Sequence, residues 1–115
     1  MDRAKKITVR FYESETGRKP VREWLLDLSA EDRRVVGYDI ETVEFGWPVG
    51  MPACRALGTG LREVRSSLSG NRIARVIFCM WQGEMILLHG FIKKTQKAPQ
   101  QEITLADKRR KEIEG

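Results

Sequence analysis

The stretch "LREVRSSLSGNRIARVIFCMWQGEMILLHGFIK", residues 61–93, sets the architecture. Apolar and polar residues alternate with a period of two in "LREVRSSL" (61–68) and "RIARVIFCMW" (72–81), as expected of strands with two different faces. In the second, Ile73, Arg75, Ile77 and Cys79 share one side, and Arg72, Ala74, Val76 and Phe78 the other. "SGN" (69–71) reads as a hairpin turn, with Gly70 and Asn71 suited to positive φ. "QGE" (82–84) is a second turn. "MILLHGFIK" (85–93) is so continuously apolar that it reads as a central strand covered on both faces. The result is a three-strand antiparallel meander.

Upstream, "KITVRFY" (6–12) alternates as a further strand. Pro20 suits a first helical turn, and Val21, Trp24, Leu25 and Leu28 form one apolar helical face. Ser29 followed by Asp32 opens a second helix, continued by Val36, Ile40 and Val43. "FGWPVGMP" (45–52) ends that helix, since its prolines and glycines cannot continue it; its length suggests a loop packed over something. Downstream, Pro99 starts a C-terminal helix with Ile103, Ala106, Arg110 and Ile113 along one line. The order β-α-α-β-β-β-α indicates an α+β fold, a small antiparallel sheet backed by two N-terminal helices and a C-terminal helix.

The chain has 115 residues, the size of one domain spanning 1–115. No apolar run is long enough for a membrane span, and the N-terminus lacks the apolar core of a signal peptide, so the expected address is the cytoplasm. Cys54 and Cys79 have no metal-ligand spacing, and with a single histidine no metal set is expected; both read as buried small hydrophobes. Trp24 reads as core, and Trp47 and Trp81 as packing residues rather than base-stacking ones.

The net charge of +5 is unevenly placed. Residues 1–60 and 100–115 each balance. Residues 61–99 carry seven cations, Arg62, Arg65, Arg72, Arg75, Lys93, Lys94 and Lys97, against Glu63 and Glu84. One segment therefore holds the whole surplus, which points to a polyanion such as nucleic acid or to a merely solvated surface.

"LREVRSSLSGNRIARVIF", "ILLHGFIKKTQKAP" and "EITLADKRRKE" together resemble the RelE/ParE superfamily of toxins from type II toxin–antitoxin modules, most closely its phage-derived HigB-like group. There the words L-x-E-x-R and LLHGF-x-KKTQK-x-P recur. The resemblance covers residues 5–113 and implies a RelE-like microbial RNase fold and a ribosome-dependent mRNA endoribonuclease. It also implies partners: a helix-turn-helix antitoxin, mRNA and the ribosome, and a toxin–antitoxin hetero-oligomer on operator DNA. The ParE branch offers another class, a non-enzymatic inhibitor of a protein target such as DNA gyrase. An RNA-binding module without catalysis is a third reading.

Cleavage without metal or other cofactor proceeds by attack of the 2′-hydroxyl on the adjacent phosphate. It needs a base, cations on the phosphate and an acid for the leaving oxygen. One histidine excludes a two-histidine solution, leaving lysine and arginine. Arg65 and Arg72, on adjacent strands, are expected to converge on the phosphate. Lys94 or Lys93 is the candidate base or acid, with Lys94 preferred. Lys97 and Arg62 are expected to bind RNA, and Lys108 and Arg109 to touch RNA or to form a solvated helix face with pairs such as Lys108–Glu112. Glu63 is expected to hold Arg65 or Arg72, or to be an ordinary cross-strand partner. His89 reads as a core histidine, or else as support for proton transfer. Arg75, opposite Arg72 in the alternation, is expected to face a helix or solvent.

Overall fold

The computed structural model describes residues 7–47, 54–93 and 99–115. Its elements are β1 (Thr8–Phe11), α1 (Pro20–Asp27), α2 (Ala30–Gly46), β2 (Cys54–Gly58), β3 (Leu61–Ser67), a short 3-10 turn (Ser69–Asn71), β4 (Ile73–Trp81), β5 (Glu84–Lys93) and α3 (Gln100–Glu114). The α+β class and the meander are as the alternation predicts. Gly70 and Asn71 have φ of 70° and 59° in the β3–β4 turn. Ser29 caps α2 by accepting the amide of Asp32 at 3.1 Å.

The strands form one sheet in the order β1-β5-β4-β3-β2. β1 runs parallel to β5, and every other pairing is antiparallel. β5 is central, as its apolar run predicts, with β1 along its outer edge. Two strands correct the expectation: β1, pairing parallel with β5, makes the sheet mixed rather than antiparallel. β2 was not expected at all, since "CRALG" is too short for its alternation to register; it forms an edge beside β3.

Each face of the sheet has its own core. On one, Val64, Ala74, Val76, Phe78, Met85 and Leu87 pack against Val21, Trp24 and Leu25 of α1 and Val36, Ile40 and Val43 of α2. Trp47 joins this side, edge-on to Phe78 at 6.1 Å between ring centres. On the other, Leu61, Ile77, Cys79, Ile86 and Leu88 pack against Ile103, Ala106 and Ile113 of α3. Both cysteines are buried thiols, and burial pushes Cys79 up to about 11. Trp81 packs in this second core.

A β-bulge decides what the third strand of the meander displays. The register passes from Leu87 opposite Phe78 to His89 opposite Ile77, leaving Leu88 as the extra residue. Strict alternation would put His89 on the same side as Met85 and Leu87. The bulge instead turns His89 and Phe91 toward the α3 side, while Gly90 and Ile92 turn toward α1. Gly90 is required there by a close approach: a Cβ would lie 2.5 Å from Cε3 of Trp24.

Candidate functional site

α3 covers only part of its face of the sheet. It sits over Cys79 and Ile86 and is tied down along its length. Glu102 Oε1 meets His89 Nε2 at 2.5 Å, the Arg109 guanidinium donates to the Leu88 carbonyl at 2.8 Å, and the Tyr12 hydroxyl donates to Glu112 at 2.6 Å. Arg109 also lies over the Tyr12 ring, 5.2 Å from its centre. Toward the β3–β4 hairpin the same sheet face carries charged side chains among the apolar Ile73 and Phe91.

The register defines that charged area. Arg65 on β3 is directly opposite Arg75 on β4, which is opposite Phe91 on β5. One pair further along, Arg55 on β2 is opposite Glu63 on β3, which is opposite Ile77. Lys93 is opposite Ile73 at the hairpin end of β5. Three arginines on three adjacent strands thus surround one carboxylate. Glu63 and Arg75 are both fully buried and joined at 2.8 Å from Oε1 to the guanidinium. Glu63 Oε2 is buried without a hydrogen bond.

Like charges directly opposite on paired strands repel. The Arg65–Arg75 juxtaposition is tolerated because Glu63 lies diagonally between the strands. Burial pulls the Arg75 guanidinium below the ordinary arginine range, Glu63 opposes this, and Arg65 and Arg55 pull it further down. The last two effects place Arg55 and Arg65 within electrostatic reach of Arg75. The cluster keeps a positive surplus on a partly dehydrated surface, which suits an anionic group with several oxygens. Phe91 stacks on His89, with ring centres 5.4 Å apart, and so joins the His89–Glu102 pair to the Arg75 row.

The expected convergence of Arg65 and Arg72 does not occur. Arg72 turns to the opposite face and grips Asp32 of α2 with two hydrogen bonds, 2.8 and 3.1 Å. It also holds Ser69 of the turn. The residue that meets Arg65 is Arg75, which the alternation assigned to a helix or to solvent and which is instead fully buried against Glu63. Glu63 correspondingly holds Arg75, rather than Arg65 or Arg72. The signal was present in the hairpin: counting back from a turn closed by Leu68 and Arg72 brings Arg65 to Arg75.

The other expected residues are dispersed. Arg62 lies on the α2 side, 5.2 Å over the Trp47 ring, away from Arg65. Lys93 lies on the Arg75 side by register. Lys94 and Lys97 fall outside the described residues. Lys108 is exposed on α3, where the ion pairs join Asp107 to Arg110 and Lys111 and Arg110 to Glu114, rather than Lys108 to Glu112. The cationic surplus, continuous in sequence, is therefore split between two faces. Arg55 belongs to the site and lay outside the segment that charge counting singled out. Among the described residues, no group of three or more His, Cys, Asp or Glu could hold a metal ion, and no helix is long and apolar enough to cross a membrane.

Among curated proteins, none matches the chain. Residues 23–111 match the family described as phage-derived protein Gp49-like (DUF891), a span that takes in the end of α1, all of α2, β2 and the meander, and most of α3. The chain belongs to the phage-derived Gp49-like protein family.

Proposed function

We infer that this protein is the toxin of a type II toxin–antitoxin module, of the HigB-like kind, and that it cleaves mRNA on the ribosome by 2′-hydroxyl attack. The observation that carries the reading is the arginine cluster around buried Glu63 on the α3 side of the sheet. Arg65 is the phosphate ligand. Arg75, fully buried, positions that side of the site through Glu63 rather than touching RNA. Lys93, on the same face, is the acid or base within the described residues, and Lys94 and Lys97 follow it in the sequence. A helix-turn-helix antitoxin holds the toxin inactive in this reading.

The test is brief induction in growing cells followed by mapping of mRNA 5′ ends. New ends inside translated frames, with growth arrest abolished by Arg65→Ala and by Lys93→Ala, support the reading. Intact mRNA with arrested replication supports a ParE-like protein inhibitor instead. Leu26 and Tyr38, 54% and 69% exposed on the helical layer, are the apolar surface such an inhibitor would use.

A further inference from the structure

Arg55 stands apart from the other half-buried arginines. Arg10, Arg18, Arg72, Arg75 and Arg110 each pair with a carboxylate, and Arg33 donates to carbonyls at the end of α1. Arg55 is half-buried on β2, yet makes no hydrogen bond or ion pair among the described residues. Its nitrogens are not among the buried unbonded atoms, so the guanidinium stays open to solvent and to an external acceptor. Arg55 does not take the unbonded Oε2 of Glu63, although Glu63 is directly opposite. It is a cation kept on the site's face with its hydrogen-bonding capacity unspent.

Its position indicates what it is kept for. Arg55 is the diagonal neighbour of Arg65 across the β2–β3 pair, a relation that separates the two residues by about 7–8 Å, their Cβ atoms by somewhat less. Two guanidinium forks so spaced can each take a separate phosphate of one strand. We propose that Arg55 binds a second backbone phosphate of the RNA, next to the one held at Arg65. The site then recognises a strand with consecutive phosphates and not a lone phosphodiester. This rests on the RNA reading above.

The test uses the full chain and 2′-O-methyl RNA, whose blocked nucleophile prevents cleavage. Binding of a hexamer and of a dinucleotide with one phosphate is followed by fluorescence anisotropy across a salt series. Arg55→Ala is expected to reduce the log–log salt slope for the hexamer by about 0.7, the contribution of one phosphate contact on single-stranded nucleic acid. It should leave dinucleotide binding unchanged. Arg55→Lys should retain the slope, and Arg34→Ala, on the exposed side of α2, should not alter it. An unchanged hexamer slope in Arg55→Ala overturns the proposal. An unchanged slope with a lowered melting temperature also overturns it and makes Arg55 a structural partner of Glu63. Failure of the wild type to bind either oligomer overturns the RNA reading and this proposal together, whereas wild-type binding with no Arg55 effect overturns only the latter.

Discussion

Arg72 and Arg75 are three residues apart and lie on opposite sides of the sheet. Arg72 is half-exposed and ties the β3–β4 turn to α2 through Asp32. Arg75 is fully buried and bound to Glu63 in the part of the other face that α3 leaves to charged residues. The helical side uses charge at its margin to fasten elements around an apolar core. The α3 side places charge in the sheet itself. A buried ion pair is a poor means of gaining stability, because dehydrating two ions offsets most of their attraction. Its presence beneath Arg65 is better explained by what it positions than by what it stabilises.

The largest effect should come from breaking that pair. Glu63→Ala or Arg75→Ala leaves one buried charge uncompensated and should cost about 3–5 kcal/mol in denaturant unfolding. Replacing both with Leu and Met should recover most of that loss and, on the toxin reading proposed above, abolish growth arrest. If a wild type that arrests growth still does so as the double variant, the two sides of the sheet do not differ in purpose.

The helical side is probed next by Gly90→Ala, which drives a methyl into the Trp24 ring. A cost of about 1–3 kcal/mol is expected, as for overpacked cores. Ser29→Ala removes the α2 cap and should cost about 1 kcal/mol by the same measurement.

The smallest effect concerns pH. The Arg72 hydrogen bonds hold the Asp32 carboxyl below its ordinary range, with burial opposing. A carboxylate whose pKa is depressed by folding contributes stability above its unfolded pKa, and that contribution is lost as pH falls through the folded value. Melting temperatures of the wild type and Asp32→Asn should therefore differ most near neutrality and converge as the medium is acidified below the ordinary aspartate range. A constant difference would remove the Asp32–Arg72 bond from the account of the helical side.

The sequence made the meander, the cap at Ser29 and the apolar faces of α1 and α3 legible because each follows a local period. It also named Arg65, Glu63 and Lys93, which do share a face. It misassigned Arg72 and Arg75 because alternation within a single strand says which residues agree in direction, but only the hairpin register says which neighbour they meet. β2 escaped because five residues ending in glycine carry little pattern, and Arg55 escaped with it. The bulge at Leu88 left no mark in composition, since Leu88 and His89 look like ordinary consecutive strand residues.

That extra residue has a consequence for inherited change. Losing Leu88 would spare nearly all the oily content of β5 and every charged side chain of the chain. The remainder of the strand would keep its facing, because Leu87 and His89 already oppose the adjacent residues Phe78 and Ile77. A single in-frame codon deletion would thus straighten β5 without turning His89, Phe91 or Lys93, and its cost would be the gap left by one buried leucine in the α3-side core.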